Sequence, residues 1–128
     1  MAYRVLIVDD SPAMRSFIHR VMQICGFDCG ACFEAGDGQE ALGVLQREWV
    51  DLILTDLNIP GMNGEEFVRR MEQDECLRSI PVLVVSTDGT GQRIRQMLSM
   101  GVKGYLSKPF TPEALREELE RVLGASHV

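Results

Sequence analysis

Residues 5–15 read VLIVDDSPAMR. The run Val5-Leu6-Ile7-Val8 is too short for a helix and rich in β-branched residues, so it reads as a strand buried on both faces. Ser11-Pro12 then opens a helix, with Ser as N-cap and Pro at the first helical position. Between the two stand Asp9 and Asp10. Adjacent carboxylates repel one another and help neither element. Their place at the carboxyl end of a buried strand guides the reading of the rest of the chain.

Downstream, Met14, Phe17, Ile18, Val21 and Met22 recur at helical spacing, and Gly26 ends that helix. A second strand is expected over about 28–33 and a second helix from Gly38 or Gln39 to Arg47, with Ala41, Leu42 and Leu45 inward. A third strand, 50–55, stops at Asp56, and after a turn-rich loop Asn63 can cap a third helix to about Met71. A fourth strand, 81–85, closes on Ser86, and a short helix spans 92–100. A brief fifth strand, 104–106, leads into Lys108-Pro109, and Thr111-Pro112 caps a last helix to about Leu123. Five strand–helix units imply an α/β fold: a parallel sheet with helices on both faces, joined by right-handed crossovers.

The 128 residues amount to one domain, expected to span 1–128. The formal net charge of −6 argues against nucleic-acid and membrane partners, both of which are anionic. It leaves room for a cation. No run of 18 apolar residues occurs, and Met1-Ala2-Tyr3-Arg4 leads into a strand without a signal-peptide layout, so the expected location is cytoplasmic.

The polar residues that close the apolar strands form a pattern. Asp9 and Asp10 follow the first strand, Asp56 the third and Ser86 the fourth, and Lys108 lies just beyond the fifth. In open parallel sheets, ligands sit at these carboxyl ends. If strands one, three, four and five are neighbours in that order, three carboxylates converge, with a hydroxyl one strand away and a lysine within reach. Three carboxylates in one pocket need a counter-charge. A Mg²⁺ ion or the Lys108 ammonium would provide it. Acids, Mg²⁺, a hydroxyl and a lysine suit phosphoryl transfer, in which an aspartate can be the covalent nucleophile.

These residues, with the stretches EAGDGQEAL, VDLILTDLNIPGMNGEEF, IPVLVVST and GYLSKPF, make the chain resemble a response-regulator receiver domain of the chemotaxis CheY type. The resemblance runs from Val5 to Phe110 and implies a flavodoxin-like, doubly wound sheet in the order 2-1-3-4-5, an order for which the family is itself a standing example. It also implies roles. Asp56 corresponds to the phosphoacceptor. Asp10, Asp56 and the Asn58 backbone carbonyl correspond to the direct Mg²⁺ ligands, with Asp9 acting through water. Lys108 corresponds to the lysine that contacts the phosphoryl group, and the Lys108–Pro109 bond to a cis peptide. Ser86 and Tyr105 correspond to the switch pair, and Asn58 and Asp88 to positions that tune phosphoryl lifetime. Such a domain is not an enzyme acting on a separate substrate, but promotes its own phosphorylation and dephosphorylation. It takes its phosphoryl group from a histidine kinase or a histidine phosphotransfer protein. It signals by docking to a downstream protein on the fourth-helix, fifth-strand and fifth-helix surface, where Arg93, Arg95, Lys103 and Tyr105 offer polar contacts. The other roles it allows are a phosphorelay shuttle and an N-terminal receiver fragment of a longer regulator; the start at Met1 fits a whole chain or such a fragment.

Other readings are weaker. A haloacid-dehalogenase-type phosphatase would need D-x-D after the first strand, where this chain has Asp9-Asp10-Ser11-Pro12. A flavodoxin-like electron carrier would place a phosphate where two aspartates repel it. Ser86 is preferred to its neighbour Thr87 on strand register. Cys25-x₃-Cys29-x₂-Cys32 has a spacing that could hold an iron–sulfur cluster, but strand residues three apart point to opposite faces, so Cys29 and Cys32 are expected to stay apart. His19 and His127 read as surface or partly buried side chains, outside the chemistry. Trp49 precedes the third strand, far from Asp56.

Overall fold

The computed structural model describes residues 2–124. His127 and the last residues of the tail lie outside them. The elements are β1 (Tyr3–Val8), α1 (Pro12–Ile24), β2 (Cys29–Ala35), α2 (Gly38–Arg47), β3 (Leu52–Thr55), α3 (Gly64–Glu72), β4 (Val82–Ser86), α4 (Gly91–Ser99), β5 (Gly104–Ser107) and α5 (Pro112–Gly124). The five strands form one parallel sheet in the order β2-β1-β3-β4-β5.

Alternating strands and helices leave the sheet covered on both faces. Leu6, Val8, Ile53 and Val84 pack with Phe67 and Met71 of α3 and Met97 of α4 on one face. Val5, Ile7, Leu52, Leu54, Leu83 and Val85 pack with Ile18 and Met22 of α1 and Leu115 and Leu119 of α5 on the other. Odd and even strand residues thus feed different layers, so the strands read as unbroken apolar runs.

Element ends differ from the sequence expectation for local reasons. β3 starts at Leu52 instead of residue 50, because the Asp51 carboxylate itself accepts the Arg4 N–H at 2.9 Å. β4 starts after Pro81, which has no N–H for the ladder. β2 runs on to Ala35 because Glu34 and Ala35 keep pairing with Ile7 and Val8.

One difference changes the side-chain pattern. Tyr3 pairs with Cys29 but Arg4 pairs with Ala31, so Gly30 is an extra residue in β2. Such a bulge breaks the strand's two-residue alternation. The expectation that Cys29 and Cys32 face opposite ways is therefore wrong: both sulfurs lie on the α1–α5 side, half-buried. Burial pushes the Cys32 thiol up to about 12.

Gly64 lets α3 begin hard against the end of β3. A Cβ there would stand 2.5 Å from the Asp56 carbonyl oxygen and 2.6 Å from Leu57 Cα. Both contacts are with backbone, so neither can yield by a rotamer change. Gly64→Ala should cost about 1–3 kcal/mol through overpacking, read from the urea midpoint. A change within a few tenths would mean that α3 can shift freely at its start.

Candidate functional site at the carboxyl edge of the sheet

Three of the site residues are held by hydrogen bonds that carry the ladder one step past their strands. Asp9 N–H donates to Ala35 O at 3.0 Å, Asp56 N–H to Val8 O at 2.9 Å and Lys108 N–H to Ser86 O at 2.8 Å. Bonds that draw on all five strands thereby fix three charged side chains at one edge.

Lys108 Nζ donates to Asp9 Oδ2 at 2.9 Å and to Asp56 Oδ2 at 3.1 Å. The side chains of Lys108, Asp9 and Asp56 are only 10%, 3% and 11% exposed, so water screens these contacts weakly. Asp9 Oδ1 accepts the Ser11 N–H at 2.9 Å and Asp56 Oδ1 the Asn58 N–H at 3.2 Å. Asp10 is exposed and has no hydrogen bond or ion pair among the described residues. The Lys108–Pro109 peptide is cis, as the resemblance implied.

Ser86 is fully buried at the last position of β4, whereas Thr87 is exposed, so the register favours Ser86. Its Oγ accepts the Asp88 N–H at 3.2 Å. The Tyr105 hydroxyl donates to the Asp88 carbonyl oxygen. Burial raises the Tyr105 pKa, partly offset by a hydrogen bond with Ser86. Asp88 Oδ1 accepts from Thr90 N–H and Oγ1 at 3.3 and 3.0 Å, which shapes the loop into α4. Asn58 is exposed beside Asp56.

The sequence reading missed Arg15. Its guanidinium donates to the Asp9 carbonyl oxygen at 2.6 Å and to Glu34 at 2.9 Å, tying α1 to the start of the site. Its place one turn into α1, after an acidic pair, was the available signal. A cavity lined by Tyr3, Cys25, Phe27 and Leu119 contains none of the site residues.

Three carboxylates against one ammonium leave two negative charges in excess. A divalent cation matches that excess, and Asp10, Asp56 and the Asn58 carbonyl offer the hard oxygen donors that Mg²⁺ takes. The exposure of Asp10 leaves room for the waters Mg²⁺ keeps.

Residues 5–120 match the family model of the response regulator receiver domain. The chain belongs to the response regulator receiver family. It is 39% identical over 119 residues to the chemotaxis protein CheY of Pseudomonas aeruginosa, covering 93% of this chain and 94% of that one. It is 38% identical to the CheY homolog of Campylobacter jejuni, covering 94% and 92%. Its fold matches the chemotaxis response regulator CheY4 of Vibrio cholerae with a TM-score of 0.85 at 34% identity, covering 96% of this chain and all of that one. It also matches the receiver domain of the Pseudomonas aeruginosa sensor histidine kinase PA1611, solved with magnesium in its active-site cleft, with a TM-score of 0.82 at 25% identity over 97% and 99%. The chain is thus a CheY-type receiver, and the family's trade is signalling.

Two outcomes follow from the charge balance. Burial works to lower the Lys108 pKa, but hydrogen bonds and charge from Asp9 and Asp56 outweigh it and hold the value above the ordinary 10.5. A raised folded-state pKa means the lysine's stabilisation is complete below about pH 10.5 and fades as pH rises through the folded value. In EDTA, the urea-midpoint difference between wild type and Lys108→Met should stay flat from about pH 7 to about pH 9 and shrink at higher pH. Asp10→Asn removes one excess charge and should raise the melting temperature of the EDTA-treated protein by a few degrees. It should also blunt the further rise that Mg²⁺ gives wild type. A variant that Mg²⁺ stabilises as much as wild type would remove Asp10 from the cation site.

Proposed function

We propose that this receiver is a phosphorylation switch in which Asp56 accepts a phosphoryl group from a phosphohistidine on a histidine kinase or histidine phosphotransfer protein. The observation that carries this reading is the Lys108 ammonium held between Asp9 and Asp56, with Asp10 open to solvent beside them. An Asp56 oxygen attacks phosphorus, the donor's N–P bond breaks, and an acyl phosphate forms. Asp10, Asp56 and the Asn58 carbonyl would hold Mg²⁺, with Asp9 joined through water. When bound, the ion neutralises charge building on the transferred oxygens. Lys108, released from Asp56 Oδ2, turns to the phosphoryl oxygens.

Ser86 then rotates its hydroxyl toward the new group, and Tyr105 follows because the two share the Asp88 loop. The output is docking of a chemotaxis-type target protein on the α4, β5 and α5 surface. That surface has room for a partner: α4 buries Met97 but leaves Leu98 44% exposed. The chain works as one receiver domain over residues 1–128, in the cytoplasm, without nucleic acid or membrane partners. It is not an enzyme acting on a separate substrate; it aids only its own phosphorylation and dephosphorylation.

Incubation with Mg²⁺ and acetyl phosphate tests the acceptor. Here the donor's O–P bond breaks and acetate leaves. Intact mass should rise by one phosphoryl unit, and should not rise for Asp56→Asn or in EDTA. An equal gain in Asp56→Asn would move the acceptor elsewhere. Asn58 and Asp88 correspond to the family positions that tune phosphoryl lifetime, where an amide and an acid would orient an attacking water, so Asn58→Lys and Asp88→Ala should lengthen the acyl-phosphate lifetime. Lifetimes equal to wild type would remove both from hydrolysis.

A further inference from the structure

The bulge at Gly30 has a chemical consequence. Cys29 and Cys32 of β2 and His19 of α1 form a group whose ligand atoms all lie within 4.8 Å of one another. All three residues are half-buried. Cys29 Sγ donates to the Ala31 carbonyl oxygen at 3.4 Å. The acidic cluster, by contrast, offers only oxygen donors.

We propose that His19, Cys29 and Cys32 form a site for a soft or borderline metal ion of the zinc class, separate from the carboxyl-edge cluster. Thiolate and imidazole together select zinc-like ions over Mg²⁺. Donor atoms on one tetrahedral zinc stand roughly 3.5–3.8 Å apart, so closing from the present spacing of up to 4.8 Å takes at most about 1.3 Å of side-chain movement. Three protein ligands leave a fourth position for water or an outside donor.

The donor set decides against the competing chemistries. An iron–sulfur cluster takes four protein ligands, four thiolates or two thiolates with two imidazoles, and only three donors meet here, since Cys25 Sγ is 3.4 Å from the Met22 carbonyl oxygen and outside the group. A redox dithiol would need only the two cysteines. The imidazole on a separate helix is what a metal site adds. Binding would clip α1 to β2, which is an edge strand of the sheet.

The test uses the full chain, reduced, under argon, with excess Mg²⁺ to occupy the acidic cluster. Cobalt(II) serves as the spectroscopic probe for zinc. One equivalent should give the absorption of tetrahedral cobalt and a thiolate-to-cobalt charge-transfer band, and zinc should abolish both. Cys29→Ser and Cys32→Ser should each lose the charge-transfer intensity of one thiolate. His19→Ala should keep that band but bind more weakly. Cys25→Ser and Cys76→Ser should match wild type. Zinc should raise the melting temperature of wild type and not of Cys32→Ser. Absence of a charge-transfer band, or a band that depends on Cys25 or survives the double change Cys29→Ser/Cys32→Ser, overturns the site. If a cysteine variant fails to fold by circular dichroism, His19→Ala decides: cobalt affinity equal to wild type overturns the three-ligand site. Phosphorylation of Asp56 is read in the same samples, and neither its success nor its failure alters what the cobalt band says of the thiolates.

Discussion

A single ammonium held between two nearly buried carboxylates is the constraint on which the rest of this receiver turns. Lys108 stands 2.9 Å from Asp9 and 3.1 Å from Asp56, residues 99 and 52 positions away in the chain. At an effective dielectric near 20, each attraction is worth roughly 4 kcal/mol at 4 Å. Removing each ion from water costs several kcal/mol, so the pair terms and the desolvation terms nearly cancel. Asp10 then adds repulsion without a partner of its own among the described residues. A fold selected only for stability would not keep this arrangement; a fold that must receive a cation and a phosphoryl group has a use for it.

The parallel sheet supplies the geometry, and the helices supply part of the missing positive charge. In a strand–helix unit, the carboxyl end of the strand and the amino end of the next helix lie on the same edge. Helix starts are capped by side chains there: Ser11 to Met14 N–H, Asp37 to Glu40, Asn63 to Glu66, Thr90 to Arg93 and Thr111 to Ala114. Each helix therefore turns the positive end of its dipole toward the edge that carries the acids. α1 begins directly after Asp10, and α3 begins at Gly64 against the Asp56 carbonyl. The close approach that only glycine permits also brings the α3 amino terminus against the backbone of the proposed acceptor.

Most of this was legible in the chain. Apolar runs ending in Asp9, Asp56 and Ser86 marked both the strands and the edge where chemistry would gather, because a strand buried on two faces tolerates polar residues only at its ends. Strand order was not written in those runs; it came from the family resemblance and agrees with the observed β2-β1-β3-β4-β5. Arg15 escaped notice because its role is a contact with the Asp9 backbone carbonyl, for which its place one turn into α1 was the only cue. The Ser86–Asp88–Tyr105 connection was visible only as separate positions, since it depends on a loop shape.

The cysteines show where periodicity stops being a guide. Residues three apart face opposite ways only if every intervening residue takes its place in the ladder. Gly30 does not: Tyr3 and Arg4, adjacent in β1, pair with Cys29 and Ala31. That one unpaired residue restores the parity of Cys29 and Cys32, and both turn toward α1, where His19 already stands. Glycine inside a strand pattern is a known mark of a bulge, so the signal was present in Cys29-Gly30-Ala31-Cys32. The rule of alternation, applied without it, separated two side chains that the backbone brings together. A single inserted residue at a strand start thus changes the donor chemistry of a whole helix–sheet face, while the ladder beyond it, from Arg4 to Val8, keeps its register with β2.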